Sequence, residues 1–238
     1  MFRTTRWTLV LRAQGDAPEA HAALGELCEA YWTPVFRFLR REGRDEDAAR
    51  ELTQEFFSRL LAGAGIQKAD PVRGRFRSYL LGALKHFLAD QKRHEGRLKR
   101  GGNVDVQSID GNEASDTSPG LQVPDPSATV SDTWFDRQWA LAIMDRSLHS
   151  VEVEFKSGGR ERQFEVLKPW LMGDAEGLSQ SDAATQLDLS AGAVKVAVHR
   201  LRKSFRAAVR AEIAQTVTEP DEVDAELRYL VQVLGSEP

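Results

Sequence analysis

The chain contains one cysteine, Cys28, among its 238 residues. No disulfide can close within it, and no cysteine cluster can hold zinc. The five histidines, His21, His86, His94, His149 and His199, are scattered and show no metal-ligand spacing of the H-E-x-x-H kind. Long apolar runs are missing as well, so nothing approaches the roughly 20 residues that span a bilayer. The opening MFRTTRWTLVLRAQGD lacks the sustained apolar core of a secretory signal. Convincing strand patterns and internal repeats are absent. Gly63 and Gly65 follow no strand and build no phosphate-binding loop. These absences leave little for an enzyme, a metal or cofactor site, or a membrane-inserted protein, and they imply a reducing, cytoplasmic setting. Cys28 sits in a helical pattern and reads as a small buried residue rather than a nucleophile.

Charge is the next constraint. The formal net charge is −4, so the chain is not a basic coat for nucleic acid. Its cations are concentrated locally, and the densest concentration falls in LSQSDAATQLDLSAGAVKVAVHRLRKSFRAAVRAEIAQTV, residues 178–217. Ala183, Ala184, Leu187 and Leu189 form a short apolar cluster that ends at a polar break. Val194, Val198, Leu201, Phe205, Ala208 and Ile213 then recur at helical spacing, with Ser190 as the N-cap of the second helix. A short helix, a tight turn and a longer helix make a helix-turn-helix. Lys195, Arg200, Arg202, Lys203, Arg206 and Arg210 populate the longer helix, and no acid lies between Ala191 and Ala211. Lys195, His199, Arg202 and Arg206 form a stripe one residue off the apolar one, so one edge can pack while the other faces a polyanion. Ala191, Gly192 and Ala193 are small enough to let the helix start enter a major groove closely.

The remaining chain also reads as helical. Residues 1–15 form a lead-in or first short helix. Pro18 to Arg41 carries Ala22, Leu24, Leu27, Tyr31, Val35, Phe36 and Leu39 at helical spacing, with a kink or break predicted at Pro34 and a stop at Gly43. A helix over Asp47 to Leu61 follows, its first turn acidic, with Ala49, Leu52, Phe56 and Leu60 on one face. After a loop over 63–70, a helix runs from about Phe76 to His94, basic in its C-terminal half. From Gly101 to Asp132 composition shifts to Gly, Ser, Asp, Pro and Thr, with six acids and no lysine or arginine. That stretch reads as a flexible acidic linker. Helices are predicted again from Thr133 to about Phe155, from about Phe164 to near Gly173, and from Glu222 to Leu234, with a turn at Ser157-Gly158-Gly159. The fold class is all-α. It has a lobe over 1–100, a linker over 101–132, a helix-turn-helix lobe over 133–217 and a C-terminal helical extension over 218–238.

In this order the chain resembles bacterial RNA polymerase sigma factors of the extracytoplasmic-function type. The resemblance is carried by AREL-TQEFFSRL over 49–60, GRFRSYLL over 74–81, and LSAGAVK over 189–195 with His199-Arg200-Leu201-Arg202. It implies a factor that binds core RNA polymerase and promoter DNA, with an anti-sigma factor or other regulator as a further partner. By resemblance, Glu51, Gln54, Glu55, Ser58 and Arg59 form a polymerase-docking face. Arg73, Arg75, Phe76, Arg77, Lys85, Lys92 and Arg93 belong to the element that opens and reads the minus-10 region. Tyr79 and Phe87, at core spacing, read as packing residues. The helix-turn-helix would read the minus-35 element: Ser190, Ala191, Gly192, Lys195, Val196 and His199 lie near base edges, and Arg200, Arg202, Lys203 and Arg206 suit phosphates. Val196-Ala197 stands where many relatives carry Ser-Arg, which shifts weight from hydrogen-bonded readout toward apolar contacts and DNA shape.

Two other functions fit parts of this pattern. One is a stand-alone helix-turn-helix regulator that binds duplex DNA without polymerase; it leaves the basic segment around Arg73–Arg77 without a role. The other is a helical adaptor that binds only proteins, which the acid-free basic stripe disfavours.

Overall fold

A computed structural model describes residues 18–62, 75–99, 130–172, 179–217 and 221–235. The lead-in before Pro18, the loop that carries Arg73 and residues 101–129 of the predicted linker lie outside the described residues, and the last three residues of that predicted linker are helical instead. Among the described residues there is no strand, and the elements are α1 (Pro18–Arg41), α2 (Glu46–Ala62), α3 (Phe76–Lys99), α4 (Val130–Ser157), α5 (Glu161–Leu167), α6 (Pro169–Met172), α7 (Gln180–Leu187), α8 (Ala191–Ala214) and α9 (Glu222–Gly235). Two compact units divide the chain within α4, the first ending at Trp139 and the second beginning at Ala140.

In the first unit α1 runs through Pro34 without the break expected from the sequence. Proline deletes one backbone donor, but Leu27, Tyr31, Val35, Phe38 and Leu39 on both sides of it are all buried. That shared apolar face outweighs one lost hydrogen bond. The helix then ends in a glycine cap. Gly43 takes φ +87°, Arg44 N–H donates to Leu39 O at 3.3 Å, and Gly43 N–H donates to Arg40 O at 3.1 Å. This is the Schellman pattern. Asp45 caps α2 through Oδ1, which accepts from Ala48 N–H at 2.8 Å, so the acidic triplet supplies the cap and the first turn together. Helix α3 continues one turn beyond its predicted end at His94, to Lys99, and an Arg44–Glu95 ion pair of 3.1 Å holds that turn to the start of α2.

The first-unit core is aromatic. Phe38 meets Phe135 edge-on at 5.9 Å and Trp134 at 6.3 Å. Tyr31 meets Phe76 edge-on at 5.3 Å, and Phe56 lies 5.6 Å from Phe87. Phe135 and Trp139, from the start of α4, are at most 1% exposed. Fully burying one such ring contributes about 1.5–3 kcal/mol. A fragment ending at residue 132, where the acidic composition ends, removes both rings. We expect it to be less stable by about 5 kcal/mol than a fragment carried through Ser157, and comparative urea unfolding checks this.

In the second unit Val151 and Phe155 of α4, Phe164 and Leu167 of α5, Ala183 of α7, and Val194, Val198 and Leu201 of α8 form one buried cluster. The turn after α4 repeats the glycine cap, with Gly159 at φ +68° and Arg160 N–H donating to Phe155 O at 2.8 Å. The sequence pattern predicts one helix from about Phe164 to Gly173, but the chain forms two, α5 and α6, divided at Lys168. Pro169 explains the division: it has no N–H to continue the α5 ladder and fits the first position of a new turn. Helix α9 packs on α8 and buries Val223, Leu230 and Val233.

Candidate nucleic-acid and partner interfaces

The second-unit candidate is built on α7, a three-residue turn and α8. Ser179 caps α7, its hydroxyl accepting from Asp182 N–H at 3.0 Å. Asp188 closes the helix in the left-handed region at φ 53°, and Leu189 N–H returns to Ala184 O at 2.9 Å. Aspartate tolerates that conformation better than most residues. Ser190 then caps α8, its Oγ accepting from Ala193 N–H at 3.2 Å. The two caps and the left-handed residue set the direction in which α8 leaves the turn.

Val194, Val198 and Leu201 hold α8 to the core. Rotation by 3.6 residues per turn therefore turns Ala191, Gly192, Lys195, Val196, His199, Arg200, Arg202, Lys203 and Arg206 outward, and all of them are exposed. Phe205 and Ala208 are only half-buried, and Val209, outside the predicted apolar stripe, takes their place in the interior. Among the described residues Lys195, Arg200, Lys203 and Arg206 have no acidic partner. Arg202 donates through its guanidinium to Trp170 O at 3.1 Å, which anchors the head group on a neutral carbonyl and leaves it with no acidic partner among the described residues. Further along, Arg210 pairs with Asp224 of α9 at 2.5 Å. The uncompensated positive field therefore belongs to the first four turns of α8.

The cations of the first unit are placed differently. Arg73 lies outside the described residues. Arg75 is exposed at the start of α3. Lys85 pairs with Asp132, Lys92 with Glu42 at 3.9 Å, and Arg93 with Asp90. Such surface pairs are worth at most about 1 kcal/mol, so an incoming phosphate can compete for them. Phe76 and Arg77, two positions that resemblance assigns to an open DNA-reading surface, are interior: 2% and 4% exposed. Arg77 Nε donates to Asp136 Oδ1 at 3.2 Å, and its guanidinium lies 4.2 Å from the centre of the Trp139 ring. Helical phase explains both, since Phe76, Leu80 and Leu84 share the buried face and Arg77 borders it. Phe87 is buried in that core. Tyr79 is half-buried, and desolvation pushes its phenol pKa up. Cys28 is half-buried rather than fully buried, and its thiol is pushed up by the same effect.

The α2 face is simpler. Ala49, Thr53, Phe56, Phe57 and Leu60 turn inward, which leaves Glu51, Gln54, Ser58 and Arg59 exposed and Glu55 half-buried. Glu55 accepts from Gln91 at 2.8 Å and pairs with Arg59 at 2.5 Å. Arg59 also lies over the Phe87 ring at 5.2 Å. Glu51 and Gln54 have no side-chain partner among the described residues. The result is a polar face with Glu55 and Arg59 pre-positioned and Glu51 and Gln54 open.

A shallow groove of about 390 Å3 runs beside the start of α8, with Leu189, Gly192, Val196 and Arg200 on one wall and Arg160 and Gln163 on the other. Sequence reasoning missed Leu189, Arg160 and Gln163 as surface residues here. The sequence pattern groups Leu189 with the apolar cluster, but the left-handed turn at Asp188 releases it from the α7 face and leaves it 37% exposed. Among the described residues, no cluster of His, Cys, Asp and Glu is arranged for a metal ion, and no helix is long and apolar enough to cross a membrane.

Compared with known proteins, the chain matches the family model described as "ECF sigma factor" over residues 8–211. No curated protein and no solved structure matches it.

Proposed function

The chain belongs to the ECF sigma factor family, and on that premise we propose that its two units divide promoter recognition between them. Membership makes it a transcription initiation factor that works with core RNA polymerase and promoter DNA. In the proposed division, the exposed face of α8 reads the minus-35 element in the major groove. The start of α3 acts at the minus-10 element, and the polar face of α2 docks on polymerase. The observation that carries the reading is the run of outward cations on α8 with no acidic partner among the described residues. A solvated helix face normally mixes signs, whereas a phosphate-facing one does not.

Glu51, Gln54, Glu55, Ser58 and Arg59 support the docking assignment because their helix has already buried its apolar face in the unit's own core. Charged and amide groups left outside can orient a partner without exposing that core. The minus-10 assignment rests on Arg73, Arg75, Lys85, Lys92 and Arg93 as strand-tracking cations. Phe76 and Arg77 support that element from within the unit.

The test is co-elution of the full chain with bacterial core RNA polymerase, followed by run-off transcription. Glu51→Arg with Gln54→Arg is the informative variant, since neither side chain holds anything else in place. We expect the wild-type chain to co-elute and the variant to lose roughly tenfold or more in affinity, as charge reversal at a docking face does. Absence of wild-type co-elution, together with tight binding of the free chain to duplex DNA, would replace this reading with a stand-alone regulator.

A further inference from the structure

The direction in which α8 leaves its turn places a small apolar surface among the cations. Val196 is 50% exposed and Leu189 37% exposed, among few large apolar side chains so exposed in the described residues. They flank Gly192 on the wall of the groove. Gly192, Val196 and Arg200 follow one another at steps of four, so they form one row along the helix surface. Nothing inside the protein demands a glycine at 192: an added Cβ would meet only Ser190 Oγ, at 4.0 Å. The space above it is therefore open to a partner.

The row has an unusual chemistry for a helix that reads DNA. Leu189, Gly192 and Val196 have no side-chain hydrogen-bond donor or acceptor, so at these positions base-edge hydrogen bonds cannot come from side chains. In a major groove the one base-edge group that projects an apolar methyl is the C5-methyl of thymine. Charge complementarity says that the partner is a polyanion, since Lys195, Arg200, Lys203 and Arg206 surround the patch without acidic partners among the described residues, and a helix presented from a helix-turn-helix fits the major groove of a duplex.

We propose that Val196, assisted by Leu189, is a specificity-determining contact that selects a thymine by its C5-methyl group. This rests on the reading of α8 as the minus-35 element's reader. Arg200, at the next step of the same row, fixes the register through a neighbouring phosphate. Specificity at that base pair is then apolar, and it does not weaken with salt as the phosphate contacts do.

The experiment uses the full chain bound to core polymerase. Duplexes are first selected from a random library, and in the best binder each thymine of the upstream element is then replaced singly by deoxyuridine. This removes one methyl group and leaves every hydrogen-bonding atom in place. We expect one such replacement to weaken binding about three- to fivefold, the weight of one buried methyl, and cytosine at that position to weaken it more. Val196→Ala should weaken binding to the thymine duplex and abolish the difference between thymine and deoxyuridine. Deoxyuridine that is neutral at every position, with selection and tight binding intact, overturns the thymine contact and leaves the DNA reading standing. The same neutrality with Val196→Ala weakening core-polymerase binding gives the patch to a protein and also overturns the proposal. Failure to select any sequence, with salt-insensitive binding, overturns the DNA reading itself.

Discussion

Arg200→Glu combined with Arg206→Glu lowers the affinity of the polymerase-bound protein for promoter DNA on the order of a hundredfold at moderate salt, while leaving the fold intact. Both guanidinium groups are exposed, and neither pairs with an acid among the described residues. Their loss therefore removes no internal contact, and surface substitutions of this kind change stability by no more than about 0.5 kcal/mol. The neutral versions, Arg200→Gln with Arg206→Gln, give the sharper measurement. Each phosphate contact contributes about one to the slope of log affinity against log salt, so the double neutral variant should lower that slope by about two. Arg210→Gln is the matched control: Arg210 is already paired with Asp224 at 2.5 Å, and its removal should change the slope much less. Filter binding over a salt series, with circular dichroism to confirm folding, checks all three. An unchanged slope in the double variant would remove these residues from the phosphate-contacting set.

These expectations depend on features that differ in how far they are written locally in the chain. Ser190 acts within one helical turn, so its capping role could be recognised from the residues alone, whereas Asp45 reads in the sequence only as part of an acidic first turn and proves to be the cap. The outward set on α8 was also legible, because a 3.6-residue period with Val194, Val198 and Leu201 inside leaves little freedom for the rest. Pro34 and Pro169 show the limit. Each removes one donor, yet Pro34 is carried inside a long helix and Pro169 divides two short ones. The deciding quantity is how much apolar surface continues on both sides, which depends on tertiary packing. Leu189 failed for a related reason. Its apolar character placed it with the core, and only the left-handed backbone at Asp188 shows that its side chain leaves that face. Arg77 is the strongest case, because its partners Asp136 and Trp139 lie some sixty residues away in sequence, beyond a stretch whose composition suggests a linker.

That placement of Arg77 has a large measurable consequence. Asp136→Ala should lower the unfolding free energy of the first unit by about 3 kcal/mol, because it takes the carboxylate from a guanidinium that is only 4% exposed. Arg77→Met should cost less. It keeps most of the side-chain volume and leaves behind Asp136, whose side chain retains 19% exposure and access to water. It does forfeit the stacking on Trp139 at 4.2 Å, worth about 2 kcal/mol in a desolvated setting. Arg77→Lys should not rescue, since an ammonium can neither lie flat on the indole nor present the same planar fork to the carboxylate. The double variant Arg77→Met/Asp136→Leu should recover much of the loss in Asp136→Ala, the usual result when a buried pair is replaced as a unit. Urea unfolding followed by tryptophan fluorescence gives these differences. Permanganate footprinting of the promoter, at a temperature where every variant is folded, separates this role from a DNA contact. If Arg77 acts through the core, folded Arg77→Met still opens the promoter to within a fewfold of the wild type. If folded Arg77→Met fails to open DNA, the guanidinium must leave Asp136 and Trp139 during initiation. The interior position would then be a resting state, and the roughly 2 kcal/mol of stacking on Trp139 would set how readily the first unit releases it.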